Sequence, residues 1–252
     1  GRLSFALGLH GPCAAYDTAC SSALVAGHAA LRSLQLGESS AALVSAVNVM
    51  LSPRVGLTFA VAGMTSMLGR SHTLDRRADG YARAEACTAA ALRPAGSQPG
   101  GPHEPVATLS GSCVRQDGRS ASLTAPNGTA QQALIRAALR SAGRSSDGAY
   151  LLESHGTGTS LGDPIEARAM CAVRKEPYLM SVMGCKACVG HTEPTAGVTG
   201  LLQLVLAMRR STMCPNAQVR AINPYVKAAF GDGNPSLPLA EPARGSGTEL
   251  PG

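Results

Sequence analysis

Three side chains in this chain occupy settings where they can do chemistry, and the first is Cys20. It lies in Asp17-Thr18-Ala19-Cys20-Ser21-Ser22, a small-residue elbow. The approach, Gly11-Pro12-Cys13-Ala14-Ala15-Tyr16, carries turn residues and short apolar ones. From Ser21 to Leu36, Leu24, His28, Leu31, Leu34 and Gln35 recur at near-helical spacing, and Gly37 stops the pattern. A cysteine in the first turn of that helix meets unpaired backbone N–H groups and the positive end of the helix dipole. Both favour a nucleophilic thiolate and steady a nearby oxyanion. The plain alternative is a buried core cysteine, the common setting of a free thiol.

The other two are His155 and His191. Tyr150-Leu151-Leu152-Glu153 reads as a short strand running into Ser154-His155-Gly156-Thr157-Gly158-Thr159, and the strand from Leu179 to Cys185 runs into Lys186 and Gly190-His191-Thr192-Glu193. In both loops a strand ends, small residues free the backbone, and an imidazole is presented before the next helix. Open α/β folds place their chemistry in this way, at the carboxyl ends of strands. Glycine on both sides of Thr157 suits close backbone approach, and the hydroxyls of Thr157 and Thr159 supply adaptable hydrogen bonds. Asp163 is placed to cap the next helix, with Pro164 at its first position. Lys186 and Glu166 are expected to pair and orient the histidines; the plain reading of each charge is solvation at the surface.

The elements around these loops alternate in type. Ala41 to Met50 is an almost unbroken apolar run of strand length, as expected of a strand covered on both faces, and Leu51-Ser52-Pro53 breaks it. The proline- and glycine-rich stretch from Pro94 to Pro105 separates two halves. A strand from Val106 to Val114, a helix from Asn127 to Ala142 ended by Gly143, and a helix from Pro194 to Met208 are expected after it. The domain reading is therefore residues 1–98 with the nucleophile, residues 99–234 with both histidine loops, and a disordered tail at 235–252.

Bulk properties narrow the function classes. Hydrophobic residues are 44% and charged residues 15% of the 252, with no apolar run long enough to span a bilayer. The net charge of +6 is scattered and aromatics are 3% with no tryptophan, so a basic stripe with stacking side chains is missing and a nucleic-acid surface is not expected. Eight irregularly spaced cysteines in a chain large enough to bury a core indicate a reducing compartment such as the cytoplasm. Cys185-Lys186-Ala187-Cys188 with His191 spells C-x-x-C-x-x-H, but no second cluster completes a four-ligand zinc site.

With these residues in place, the chain resembles the β-ketoacyl synthases, and most closely the ketosynthase domains of type I polyketide synthases. The Cys20 elbow, the His155 block with Gly162-Asp163-Pro164-Ile165-Glu166, and Lys186 with Gly190-His191-Thr192-Glu193 match the three signature blocks in order. Gly1-Arg2-Leu3-Ser4, Asp79-Gly80-Tyr81-Ala82-Arg83, Gln116-Asp117-Gly118-Arg119-Ser120, Leu123-Thr124-Ala125-Pro126-Asn127-Gly128 and Asn223-Pro224 support the match. Two departures stand out: Lys186-Ala187-Cys188 where the family has Lys-x-Asn, and Arg83-Ala84-Glu85-Ala86 where it has Arg-Gly-Glu-Gly.

The resemblance implies a thiolase-like α-β-α-β-α sandwich of two related halves, incomplete here at both termini, and usually a homodimer. It implies that Cys20 accepts an acyl group from an acyl carrier protein. His155 and His191 then support decarboxylation of a malonyl-type thioester, and the enolate attacks the acyl-cysteine. Thr157 and Thr159 would bind the phosphopantetheine arm presented by the carrier, Lys186 and Glu166 would form a supporting ion pair, and no bound metal or resident cofactor is required. The alternatives are a thiolase-like acyltransferase, which usually pairs one histidine with a second cysteine, a catalytically inactive thiolase-fold fragment serving dimerisation or carrier docking, and a zinc or redox module at Cys185 and Cys188.

Overall fold

A computed structural model describes residues 1–96, 104–122, 124–146, 151–174 and 180–230. The Cys20 elbow forms as a 3₁₀ turn, Ala19–Ser21, feeding directly into helix α2, Ser22–Gln35. Helix α1, Arg2–Leu7, precedes it. The hydroxyl of Ser22 is the fastener: it accepts from the Thr18 N–H at 2.9 Å and donates to the Ala19 carbonyl at 2.7 Å. Ala19 itself sits at φ 54°, a left-handed backbone that costs a residue with a Cβ on the order of 1–2 kcal/mol and turns the chain sharply into the helix.

Strand β1, Ala42–Asn48, pairs antiparallel with β2, Ala86–Leu92, in the register Ala42↔Leu92 to Asn48↔Ala86. The expectation of a strand covered on both faces is corrected here. Val44 and Asn48 are buried, but Leu43 is 45% and Val47 58% exposed: α2 packs against β1, and the alternating burial leaves one face of the strand covered and the other open. Helix α3, Pro53–Val61, starts at the proline that ends the apolar run.

The second sheet is smaller and parallel: β3, Leu151–Glu153, beside β4, Ser181–Met183. Helix α5, Gly162–Val173, packs between α4, Gly128–Ser141, and α8, Pro224–Phe230. The main core gathers here from Leu74, Ala167, Met170, Met180, Val182, Val226 and Phe230. Val182 and Val226 are fully buried, and each such side chain contributes roughly 1.5–3 kcal/mol. Asn127 caps α4 by accepting from the N–H groups of Thr129 and Ala130, as an N-cap side chain should.

Two more expectations are corrected. Residues 106–114 form no strand; the segment touches α2 at Ser112, whose hydroxyl is 2.8 Å from Nδ1 of His28. Asp163 is not the N-cap of α5 but lies within its first turn, after Leu161, because its carboxylate is drawn to backbone N–H groups of two loops described below. Residues 97–103 of the linker and the tail expected at 235–252 lie outside the described residues.

The two sheets are tied through helix α7, Ala196–Arg210, which runs against α2 and β3. Gly197 permits this, since a side chain there would meet Leu24 of α2. A polar strap, residues 71–81, joins the rest. Its Asp75, fully buried, accepts from Arg77 Nε at 2.7 Å and from the N–H groups of Arg220 at 2.6 Å and Ala221 at 3.0 Å. Burial alone would raise the Asp75 carboxyl, but the Arg77 guanidinium and these N–H groups outweigh it and hold it well below the usual carboxylate range. Among the described residues no helix is long and apolar enough to cross a membrane.

Candidate active site

The three predicted reactive side chains converge. One ligand atom from each of Cys20, His155 and His191 lies within 4.8 Å of the others, although the residues come from positions 135 and 36 apart in the chain. The turn bearing Cys20 packs on a second 3₁₀ turn, Glu193–Thr195, at the start of α7, which brings the elbow to the His191 loop. The imidazoles of His155 and His191 stand edge to face, with centroids 5.8 Å apart and planes at 87°.

The His155 loop is shaped by two carboxylates on α5. Glu166 accepts the N–H of His155 at 2.5 Å and that of Gly156 at 2.9 Å. Asp163 accepts the N–H of Gly158 at 3.1 Å and, through its other oxygen, that of Leu74 at 2.7 Å, so it locks the loop to the strap. Burial pushes Asp163 up to about 7 against the pull of those N–H groups, and burial likewise raises Glu166. Gly158 sits at φ 72°, and a Cβ there would stand 2.9 Å from the His72 nitrogen and 3.1 Å from the Gly80 carbonyl oxygen. Only glycine fits.

The His191 loop is built differently. A one-turn helix, α6, Lys186–Val189, leads into it. His191 donates its N–H to the Ala82 carbonyl at 2.7 Å, and Ala84 donates to the His191 carbonyl at 2.9 Å. Alanine fits at positions 84 and 86, since neither lies at positive φ and Ala86 begins β2. Tyr81 packs edge-on against the imidazole at 4.7 Å. The Glu193 N–H donates to Nδ1 of His191 at 3.2 Å, so the proton of the neutral ring is on Nε2.

Both histidines are held neutral. Burial and then the positive charge of Lys186 push His155 down to about 4, and burial, Lys186 and His155 push His191 down to about 3. His191 is 3% exposed and feels this in full, whereas His155 keeps an accessible surface that tempers the push. Lys186 is buried, and its charge reaches Glu166 and Glu153 as well.

The expected Lys186–Glu166 ion pair is not formed: among the described residues these two groups make no contact within 4 Å. The Glu166 carboxylate is committed to the His155 loop instead. Thr157 and Thr159 do lie together, with hydroxyls 3.4 Å apart, and that of Thr159 accepts from the Gly162 N–H at 3.1 Å.

The ligand atoms of Cys20, His155 and His191 lie close enough together to share a soft metal. Coordination through Nε2 of His191 would, however, force its proton onto Nδ1, against the Glu193 N–H. The Glu193 N–H therefore favours His191 as a donor through Nε2 over a ligand through that atom. Cys185 and Cys188 do not join the cluster: Cys185 is buried, its thiol pushed up to about 12 by burial and by Glu153, and Cys188 directs its Sγ to the Pro215 carbonyl at 3.4 Å.

Comparison with known proteins gives the family. Residues 1–97 match the β-ketoacyl synthase N-terminal domain and residues 106–220 match the β-ketoacyl synthase C-terminal domain. The chain is 40% identical over 230 residues to a phenolphthiocerol/phthiocerol polyketide synthase of Mycobacterium tuberculosis, covering 91% of this chain and 15% of that protein. It is 40% identical over 235 residues to erythronolide synthase EryA2 of Saccharopolyspora erythraea, covering 92% and 7%. Among solved structures it superposes on the ketosynthase from module 6 of the bacillaene synthase of Bacillus subtilis 168 with a TM-score of 0.85 and 32% identity, over 89% of this chain and 41% of that one. An oxazolomycin ketosynthase domain of Streptomyces albus gives 0.88 and 32%, over 94% and 41%. The chain thus spans less than half of the solved ketosynthases it matches and a small part of the curated synthases. From both domain matches and these superpositions it follows that the chain has the thiolase-like α/β fold and belongs to the β-ketoacyl synthase family of condensing enzymes.

Proposed function

We propose that this chain carries the condensing centre of a polyketide synthase ketosynthase. The observation that carries the reading is the convergence of the Cys20 thiol with two neutral imidazoles within 4.8 Å. The Cys20 thiolate attacks the thioester of an acyl chain on a carrier protein, forming an acyl-cysteine and expelling the phosphopantetheine thiol, which takes up a proton. A malonyl-type thioester on a second carrier then loses its carboxylate as carbon dioxide, and the bonding pair passes into an enolate. Nε2–H of His191 and an N–H of His155 donate to the enolate oxygen as its charge develops, a contribution of about 10²–10³ in rate for one such donor. The enolate carbon attacks the acyl carbonyl, and collapse of the adduct expels Cys20 as thiolate, leaving a β-ketoacyl chain on the carrier.

In this reading the paired hydroxyls of Thr157 and Thr159 hold the phosphopantetheine arm, and the working protein is a homodimer. Separate domain matches to residues 1–97 and 106–220 support two related halves, residues 1–98 and 99–234. The retention of all three reactive side chains in one cluster favours an active centre over a fold kept for docking alone. The test is to supply the intact protein bearing this chain with an acyl carrier thioester and a malonyl carrier, and to measure both carbon dioxide and β-ketoacyl product. Loss of product in His191→Ala with acylation of Cys20 retained supports the assignment, and unchanged carbon dioxide release in both His155→Ala and His191→Ala overturns it.

A further inference from the structure

We infer that Arg83 and Glu193 form a positioning pair that fixes the Nε2–H tautomer of His191, a role that rests on the condensing function proposed above. Glu193 is the residue whose N–H occupies Nδ1 of His191. It does so from a backbone at φ 46°, a conformation a residue with a Cβ holds only when its surroundings impose it. The restraint is visible on the side chain. Arg83 Nε donates to Oε1 of Glu193 at 2.5 Å and Nη2 donates to Oε2 at 3.1 Å, a bidentate fork whose two side chains are only 13% and 15% exposed.

The other end of the fork is equally fixed. Arg83 lies between Ala82 and Ala84, whose backbone groups bracket His191 on both sides, and pairs with His191 in a β-bridge. Its guanidinium carbon stands 5.1 Å from the Phe59 ring centroid on α3. One side chain therefore spans the strand segment, helix α3 and the strained turn beyond His191. A lysine, as a point charge, would keep the attraction but lose the planar register.

The chemical consequence concerns the enolate. With Nδ1 occupied, Nε2 is a donor; with the turn relaxed, the proton can move to Nδ1 and Nε2 becomes a lone pair facing the oxygen it should stabilise. Acyl transfer to Cys20 does not need that donor, so the pair acts on decarboxylation.

The test uses the intact protein labelled with ¹⁵N-histidine, in which long-range ¹H–¹⁵N correlations at neutral pH report the His191 tautomer, the signals being assigned with His191→Gln. The expected result is Nε2–H in the parent and a mixture in Arg83→Met and Glu193→Gln. Malonyl-carrier decarboxylation should fall on the order of 10- to 100-fold, as for a small misplacement of a catalytic group, with Cys20 acylation within about 2-fold. The double variant should be no worse than the poorer single, since both remove one interaction. Arg83→Lys, which keeps the charge and serves if Arg83→Met does not fold, should lie between. An unchanged tautomer, equal slowing of both half-reactions, or additive losses would overturn the proposal. Because the tautomer is read without turnover, a parent protein that fails to condense counts against the proposed function and leaves this result legible.

Discussion

Glu166 accepts the backbone N–H of Gly156 at 2.9 Å while its second oxygen accepts that of His155 at 2.5 Å, so one carboxylate on α5 sets where the His155 imidazole stands. The charge expected in an ion pair is spent on the backbone of the His155 loop. Glutamine at this position has one acceptor oxygen for two N–H groups and turns a donor toward the other. Glu166→Gln should therefore cost about 1–3 kcal/mol of stability and slow decarboxylation about 10- to 100-fold. Chemical denaturation and carbon dioxide release check the two halves separately.

Gly158 joins the His155 loop to the strap, accepting the Gly80 N–H at 2.9 Å on its carbonyl. Gly158→Ala would suffer both the left-handed backbone cost and overpacking against His72 and Gly80. A loss of about 2–5 kcal/mol is expected on those two grounds. Full retention of the denaturation midpoint would mean that the strap does not hold the loop.

The histidines set the response to acid. Their folded values of about 4 and about 3 lie below the ordinary 6.5. The unfolded chain therefore binds more protons in between, and stability present above 6.5 drains away as pH falls toward those values. Decarboxylation, which needs neutral rings, should have its acid limb shifted from 6.5 down toward pH 4. Lys186→Met removes a positive charge that depresses both rings, so it should shift that limb upward. A limb near 6.5 in the parent, or one unmoved in Lys186→Met, contradicts the electrostatic account.

Much of the site is legible in the sequence, because its reactive residues sit in short blocks whose small residues have local reasons to be there. Gly156 and Gly158 both take positive φ, and Ser22 fastens the elbow by bonds three and four residues long. The supporting interactions are less legible because they depend on long-range placement. Arg83 and Glu193 are 110 residues apart, and Asp163 and Leu74 are 89 apart; no periodicity links such positions. Tyr81 is visible as part of a matching block, but its packing on His191 is not. The segment 106–114 has the composition of a strand without a ladder partner, and apolar alternation does not reveal whether an edge is available.

The central claim is that Cys20, among eight cysteines, is the one that carries the acyl group. Incubation of the intact protein with an acyl carrier thioester, followed by proteolysis and mass mapping of every cysteine peptide, tests it most directly. The account predicts one acyl adduct, on the peptide bearing Cys20, and none in Cys20→Ala. An adduct of equal yield in Cys20→Ala, on Cys188 or any other thiol, would contradict it.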